Sequence, residues 1–219
     1  MLHLRCSKPA AFATSGIVCS SLVFTLFSLA YGKRNLAATP PDMTSISSVQ
    51  GKTATVNGLA PDISWRDQTS GKFRQISDLR GKPVILCFGS YTCGPFRTSL
   101  NLIDQVYRRN AGQITCLLIY TKEAHPELSQ EAYMRNPHTR EDRETAACSL
   151  SKQARLTMPI LVDTLDNRAG TAFAARPSRI YVLDRKGNIA FASSESPASD
   201  MALGAVNAVN RMMGSKPVN

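Results

Sequence analysis

The stretch Pro83-Val-Ile-Leu-Cys-Phe-Gly89, followed at once by Ser90-Tyr-Thr-Cys-Gly-Pro-Phe96, decides the fold of this chain. Its first part is a continuous apolar run, which is typical of a strand buried on both faces of a sheet. A helix is predicted directly afterwards, because Pro95 suits a first helical turn and Gly112 is a natural end. Large apolar and aromatic side chains recur at helical spacing between them, at Phe96, Leu100, Ile103 and Tyr107.

On either side of this stretch, strands and helices alternate along the chain. We predict a small hairpin (63–65 and 72–76), strands at 114–120 and 158–162, helices at 140–154, 168–175 and 200–213, and a closing hairpin (179–183 and 188–192). This order predicts an α/β sandwich with a mixed central sheet. Pro177 stands where thioredoxin-like folds carry a cis-proline beside their reactive cysteine, so we predict a cis bond there. The expected fold is therefore thioredoxin-like, with a peroxiredoxin-like N-terminal hairpin.

A chain of 219 residues is long enough for one medium domain and a tail, but short for two domains. We divide it into an N-terminal signal anchor or signal peptide at 1–34, a linker at 35–58, a thioredoxin-like domain at 59–214 and a tail at 215–219. The linker assignment follows from a segment rich in Ala, Thr, Ser and Pro that lacks periodicity.

The N-terminal segment has the pattern of a targeting or anchoring element. Arg5 and Lys8 precede the uncharged residues 9–32, and Lys33 and Arg34 follow directly. Such a length can span a bilayer as one helix, whereas small residues near its end fit a cleaved signal peptide. We favour an uncleaved single-pass signal anchor in a membrane, with an exported or secreted product after cleavage as the alternative.

The charge and the cysteines argue against several functions. The formal net charge is +10, but Lys and Arg are spread without a run of five, which indicates a solvated surface rather than a nucleic-acid interface. None of the six cysteines forms a Cys-x-x-Cys pair or has zinc-ligand spacing to a histidine. We therefore predict no metal, no bound cofactor and no disulfide scaffold.

Cys93 is the predicted reactive group. It follows a strand and opens a helix, where free N–H groups and the helix dipole favour an anion and hence a thiolate. Hydroxyl groups stand close by at Ser90 and Thr92, and Gly94 lets a substrate approach the backbone. A dithiol reductase would need a second cysteine three positions on, and Phe96 occupies that position, which argues against thioredoxin-type exchange.

Five ordered motifs lie within about residues 79–191. They are Phe88-Gly-Ser-Tyr-Thr-Cys-Gly-Pro-Phe96, Tyr120-Thr-Lys-Glu-Ala-His-Pro126, His138-Thr-Arg-Glu-Asp-Arg-Glu-Thr-Ala-Ala147, Val162-Asp-Thr-Leu-Asp-Asn167 and Arg179-Ile-Tyr-Val182. Together they resemble the iodothyronine deiodinase family. The third is one residue shorter than the family pattern between its His and its Glu-Asp-Arg. The resemblance implies an oxidoreductase that removes iodine from an aromatic ring with an external thiol as reductant. The family tends to dimerise, so the resemblance also implies a homodimer.

The resemblance further implies the site residues. Cys93 takes the place of the family's selenocysteine. The other implied catalytic residues are His125, Glu123, Ser90 and Thr92, and the implied substrate-binding residues are His138, Arg179 and Tyr120. Two departures from the family pattern lower the expected turnover. Sulfur is a weaker nucleophile than selenium, and the family's cysteine two positions earlier is Tyr91 here, so a nearby resolving thiol is lost.

The chemistry of these residue types fits reductive removal of iodine. A Cys93 thiolate can accept iodine, and His125 can deliver a proton to the ring carbon, since histidine titrates near neutrality. Glu123 can orient or charge that histidine, and an external thiol would release iodide and regenerate Cys93. Arg179 and residues 141–143 also have structural interpretations, as a salt-bridging surface arginine and as a capped helix start.

Two other functions stay open. A one-cysteine peroxidase would oxidise Cys93 to a sulfenic acid with a hydroperoxide. Ser90-Tyr-Thr-Cys93 matches the end of a peroxidatic motif, although Leu86 replaces its proline. The third function is a non-enzymatic redox or binding module in an envelope or secretory compartment. The expected partners are thus a small aromatic halide or a peroxide, a thiol reductant and, through the N-terminal segment, a membrane.

Overall fold

The computed structural model describes residues 43–67, 70–135, 137–193 and 198–217. Eight strands and five α-helices lie in these parts of the chain. The strands are β1 Met43–Gln50, β2 Asp62–Arg66, β3 Phe73–Gln75, β4 Val84–Gly89, β5 Thr115–Tyr120, β6 Ile160–Val162, β7 Arg179–Leu183 and β8 Ile189–Ala192. The helices are α1 Gly94–Arg109, α2 Ala132–Arg135, α3 Arg140–Ala154, α4 Arg168–Ala172 and α5 Ala198–Met213.

All eight strands belong to one mixed sheet in the order β3-β2-β1-β6-β5-β4-β7-β8. The four central strands run parallel, with Cys87 of β4 opposite Leu118 of β5 and Leu118 opposite Ile160 of β6. Antiparallel pairs extend the sheet on both sides, through β2 and β3 at one edge and β7 and β8 at the other. The predicted mixed α/β sheet with a hairpin at each end is confirmed.

Strand β4 is buried along its whole length because both faces of the sheet are covered. Ile85 and Cys87 pack into the cluster that we call the helix-side core, which includes Phe96, Leu100 and Ile103 of α1. Leu86 and Phe88 pack into the hairpin-side core, which includes Trp65 of β2 together with Phe173 and Tyr181. Burial of each such side chain contributes about 1.5–3 kcal/mol, which explains the apolar run on β4.

Strand β1 lies inside the segment that we predicted to be a linker, so that assignment is wrong for residues 43–50. The strand pairs with β2 on one side and β6 on the other. Two hydroxyl groups of the strand also form hydrogen bonds. The Thr44 hydroxyl donates to the Arg66 carbonyl and the Ser45 hydroxyl donates to the Glu144 carboxylate, both at 2.8 Å. Ile46 is the one buried apolar side chain of this strand, so its sequence shows no alternation of apolar and polar residues. Hydrogen bonds hold much of the strand in the sheet instead.

The other predicted elements lie close to their expected positions. The helix after Cys93 and the helix at 140–154 are confirmed, and the Arg176–Pro177 bond is cis, as predicted. Strand β6 begins later than predicted, because the Met158 N–H donates to the Asp104 carboxylate at 3.0 Å instead of to a strand.

The predicted signal anchor or signal peptide at 1–34 lies outside the described residues. Within the described residues, no helix combines the length and the apolar character needed to cross a membrane.

Candidate active site

Cys93 is the N-cap residue of α1, directly after the turn that leaves β4. Its backbone is extended (φ −87°, ψ 99°), and its carbonyl accepts a hydrogen bond from the Arg97 N–H at 3.1 Å. Pro95 occupies the first helical turn, as predicted. Because the first N–H groups of a helix lack intrahelical partners, a thiolate at this position lies in a favourable positive field.

The Cys93 sulfur is covered by the protein. Its residue is only 2% exposed and belongs to the helix-side core. Space is available at the next residue, because a Cβ placed on Gly94 would meet no heavy atom within 4 Å. A substrate can therefore approach the backbone beside Cys93, but contact with the sulfur requires a local displacement or a small reactant.

Ser178 is the polar partner of Cys93. The Cys93 thiol donates to the Ser178 Oγ at 3.4 Å, and Ser178 is itself buried. It follows Pro177 with its cis peptide bond and directly precedes β7. Sequence reasoning missed Ser178. The predicted cis-proline beside the reactive cysteine could have indicated it, because Ser178 directly follows Pro177. Once the sulfur is ionised, the hydroxyl can rotate and donate to it, so Ser178 can stabilise a thiolate.

Buried Glu123 ties two loops together. One of its carboxylate oxygens accepts hydrogen bonds from the Thr92 N–H at 2.9 Å and the Thr92 hydroxyl at 2.6 Å, and the other accepts from the Tyr120 hydroxyl. The Tyr120 hydroxyl in turn accepts from the Tyr91 N–H at 3.1 Å. We call Thr92, Tyr120 and Glu123 the carboxylate clamp. It fixes the turn that carries Cys93.

The hydroxyl groups of Ser90 and Thr92 add two more links between these loops. The Ser90 Oγ accepts from the Ala124 N–H, and the Thr92 Oγ1 accepts from the His125 N–H, both at 3.0 Å. Ser90 and Thr92, which the family resemblance included among the catalytic residues, therefore bind the loop after β5. Their role in this geometry is to position the turn before Cys93.

Burial controls the charges around the clamp. Burial raises the pKa of Tyr120 well above its usual value, and the negative charge and hydrogen bond of Glu123 raise it further, so Tyr120 stays a neutral donor. Arg143 of α3 is also buried, and its guanidinium donates to three carbonyl groups in the loop after β6. Burial lowers the pKa of Arg143, while nearby Asp163, Tyr120 and Glu123 act in the opposite direction. Arg143 thus supplies a buried positive charge near Glu123.

The His125 side chain pairs with Glu127 and not with Glu123, although we expected Glu123 to orient it. Its Nδ1 is 3.5 Å from Oε1 of Glu127, and both side chains are exposed. Both oxygens of Glu123 are instead occupied by the clamp. The structure still brings the His125 backbone next to the reactive turn, because its N–H donates to Thr92, the residue before Cys93.

Among the described residues, the Cys93 sulfur is hydrogen-bonded to Ser178 and to none of the predicted substrate-binding residues His138, Arg179 and Tyr120. His138 is exposed before α3, where its N–H donates to the Asp142 carboxylate at 3.0 Å. Asp142 also closes a capping box with Thr139, which confirms that this motif starts a helix. Tyr120 is buried in the clamp, so a substrate could touch it only if the clamp opened.

Arg179 lies on the other face of the sheet. Its guanidinium donates to the Ser193 carbonyl at 2.9 Å and lies 5.9 Å from the ring centre of Tyr181, in the hairpin-side core. Neighbouring residues of a strand point to opposite faces. Ser178 therefore faces Cys93, and Arg179 faces away from it.

Cys87 and Cys116 are fully buried in the central strands β4 and β5. Burial raises the pKa of both thiols, and for Cys116 the charges of Cys87 and Asp104 add to the effect. Neither thiol is a competitor for Cys93 as the nucleophile. Within the described residues, no three His, Cys, Asp or Glu side chains are placed to share a metal ion.

A cysteine that opens a helix after a central strand of a mixed sheet, and that contacts a cis-proline loop, defines a thioredoxin-fold thiol protein. Solved structures show the same fold. The thioredoxin domain of a thiol-disulfide oxidoreductase from Bacteroides vulgatus has a TM-score of 0.52 at 16% identity, covering 72% of this chain and 100% of that one. A peroxidoxin from Mycobacterium tuberculosis has a TM-score of 0.52 at 17% identity, covering 73% and 98%.

The chain belongs to the iodothyronine deiodinase family, whose sequence model matches residues 44–208 and so includes β1. It is 30% identical to type I iodothyronine deiodinase of Xenopus laevis over 150 residues, which are 66% of this chain and 58% of that protein. It is 32% identical to thyroxine 5-deiodinase of Gallus gallus over 141 residues, or 62% and 55% of the two chains. The chain thus spans little more than half the length of these relatives. The family is one of oxidoreductases, in agreement with the class expected from the sequence.

Proposed function

We propose that this protein is a thiol-dependent reductive dehalogenase of iodinated or otherwise halogenated aromatic compounds, with Cys93 as its nucleophile. The observation that carries the proposal is the position of Cys93 at the start of α1, opposite Ser178, in a chain of the iodothyronine deiodinase family. Relatives named for the removal of iodine from thyroxine or iodothyronines motivate the substrate class.

The first step transfers iodine to sulfur. The Cys93 thiolate attacks the iodine atom, the carbon–iodine bond breaks, and a sulfur–iodine bond forms while the ring carbon takes up a proton. One external thiol then displaces iodide and leaves a mixed disulfide on Cys93. A second external thiol restores the Cys93 thiol and leaves as a disulfide with the first. Two thiols are thus oxidised for each carbon–iodine bond reduced, and no bound cofactor takes part.

His125 is the proposed proton donor, in spite of its exposed position. Its backbone is tied to Thr92, so a turn of the side chain would bring the ring towards a substrate that lies over Gly94. Histidine is the side chain that most often acts as a general acid or base. Glu127, 3.5 Å from Nδ1, is its partner when no substrate is bound.

The burial of Cys93 favours a second candidate function, that of a one-cysteine hydroperoxide reductase. A cysteine residue that is only 2% exposed is more accessible to a small peroxide than to an iodinated ring. The thiolate would attack one peroxide oxygen, release an alcohol or water, and become a sulfenic acid. Two external thiols would reduce this acid to the thiol and water.

The proposal also covers the localisation of the protein and its oligomeric state. We propose that residues 9–32 anchor the protein in a membrane or direct its export, since they form a long uncharged segment between basic residues. We also propose a homodimer on the strength of the family resemblance. Cross-linking and sedimentation of the full chain in mild detergent would test whether it forms a homodimer.

The deciding experiment measures iodide release by the full chain from an iodothyronine and from a smaller iodophenol, with excess dithiothreitol. Cys93→Ala removes the proposed nucleophile, and Cys116→Ala is the matched control, because it deletes a buried thiol far from the helix start. We expect release that Cys93→Ala abolishes and Cys116→Ala retains. Equal release by the wild type and Cys93→Ala would overturn the proposal. Consumption of a hydroperoxide without iodide release would establish the second candidate, and inactivity in both assays would favour a non-enzymatic module.

A further inference from the structure

A cavity of about 410 Å³ lies at the opposite end of the sheet from Cys93. Its walls include Lys82 just before β4, Thr115 at the start of β5 and Pro159 just before β6. Cys93 instead follows the far end of β4, and six strand residues separate the two ends by about 20 Å. The apolar residues that line the cavity belong to the hairpin-side core, whereas Cys93 belongs to the helix-side core. It is therefore separate from the candidate active site.

The floor of the cavity is apolar. Trp65 of β2 and Leu79 meet Leu117 and Leu161 of the central strands there, and all four side chains are buried. A volume near 410 Å³ is within the usual range of small-molecule sites, about 300–1,000 Å³. This floor suits an aromatic ring or a short alkyl chain, because apolar surface gains free energy when it leaves water.

The rim of the cavity is charged, and its free charge is positive. Asp67 lies 3.7 Å from Arg74, so these two rim charges offset each other. The Asp78 carboxylate accepts a hydrogen bond from the Gln75 N–H at 2.9 Å and is the second anion of the rim, so the rim as a whole carries a net charge of +1. Arg80 and Lys82 remain, and within the described residues neither forms an ion pair. Two unpaired cations next to an apolar floor are complementary to a ligand with one anionic end.

We propose that this cavity is a binding site for a small amphipathic monoanion, with its apolar body on the floor around Trp65 and its carboxylate or similar group between Arg80 and Lys82. The site lies between the N-terminal hairpin (β2 and β3) and the central strands β5 and β6. Its occupancy does not depend on the chemistry proposed for Cys93.

The protein carries its own reporter for this site, because Trp65 is its single tryptophan. Titration of the full chain with phenylbutyrate should give a saturable change in tryptophan emission, with a dissociation constant of about 1 mM or lower for a ligand of this size. Phenylbutanol, which keeps the apolar body and lacks the charge, should bind at least about tenfold more weakly.

Substitutions at the rim separate this site from adventitious binding. The double variant Arg80→Gln, Lys82→Gln should weaken phenylbutyrate binding by about tenfold or more, since it removes both cations from an exposed rim without touching the core. Arg211→Gln, which removes an exposed cation from α5, should leave the affinity unchanged. Cys93→Ala should also leave it unchanged, so failure of the dehalogenase proposal would not affect this result. The absence of a saturable signal, equal binding of the alcohol, or an unaltered affinity in the rim variant would overturn the proposal.

Discussion

The Glu123 carboxylate accepts both the N–H and the hydroxyl of Thr92, at 2.9 and 2.6 Å, and so fastens the turn that carries the candidate nucleophile. From the chemistry of these residue types we had expected Glu123 to orient or charge His125. In the structure it acts on the backbone before Cys93, and its second oxygen is occupied by Tyr120. This geometry makes Glu123 a positioning residue.

Loss of the Glu123 carboxylate should therefore lower the stability of the whole domain. Glu123→Ala leaves the Thr92 N–H, its hydroxyl and the Tyr120 hydroxyl buried without their acceptor, at a cost of about 3 kcal/mol in the free energy of unfolding. Glu123→Gln keeps one acceptor oxygen and should cost about 1 kcal/mol. Urea denaturation followed by circular dichroism measures both values.

Glu127→Gln is the control for this prediction. Glu127 is exposed and pairs with His125 on the surface, so its substitution should change stability by less than about 0.5 kcal/mol. If Glu123→Ala were as stable as Glu127→Gln, the clamp would not hold the turn.

Ser178 should control how readily Cys93 reacts. Ser178→Ala removes the polar partner 3.4 Å from the sulfur, which we expect to slow alkylation of Cys93 by iodoacetamide about fivefold at neutral pH, the equivalent of one ordinary hydrogen bond. Ser149→Ala on α3, whose hydroxyl bonds elsewhere, should leave the rate unchanged. Peptide mapping after chymotrypsin, which cuts at Phe88 and Tyr91, separates Cys93 from Cys87. An unchanged rate in Ser178→Ala would show that the contact does not influence the thiolate.

Local patterns were sufficient to predict the centre of the fold. The apolar run of β4, the helical spacing from Phe96 to Ile103 and the turn between them all depend on residues near in sequence, and the structure confirms them. Strand β1 could not be found in this way. Its hydroxyl groups bind Arg66 and Glu144, which are distant in sequence, and these contacts make a Ser- and Thr-rich segment suitable for the middle of a sheet.

The candidate site was predictable to the extent that it is local. Cys93 was recognised from the strand and helix around it, whereas Ser178 meets it across 85 residues. The role of Glu123 and the direction of Arg179 depend on which face or loop a side chain reaches. Sequence motifs place such residues near a site, but packing decides whether they point into it.

The position of β1 makes a clear prediction about truncation. A chain that begins at Leu59 lacks the strand between β2 and β6, so β2 and β3 lose their connection to the parallel strands. We expect such a chain to show no cooperative thermal unfolding, whereas a chain that begins at Thr39 keeps β1 and unfolds cooperatively. Differential scanning calorimetry of the two distinguishes them. A cooperative transition in the shorter chain would mean that β1 is dispensable.

The buried thiols of Cys87 and Cys116 should weaken the fold at alkaline pH. Burial raises the pKa of both in the folded state, while an unfolded cysteine ionises near pH 8.5. The stabilisation is therefore fully present below about pH 8.5 and is lost as pH rises, because only the unfolded chain releases these protons. Each thiol should contribute a loss of about 1.4 kcal/mol per pH unit.

A pH series of denaturant unfolding between about pH 9 and 10, above the ordinary cysteine pKa, isolates this effect. The double variant Cys87→Ala, Cys116→Ala should have a shallower slope than the wild type by about 2.7 kcal/mol per pH unit, since two titrating groups are removed. Ser149→Ala should keep the wild-type slope, because its hydroxyl does not titrate in this range. Equal slopes in the double variant and the wild type would mean that these thiols ionise as easily in the folded protein as in the unfolded chain, which their complete burial argues against.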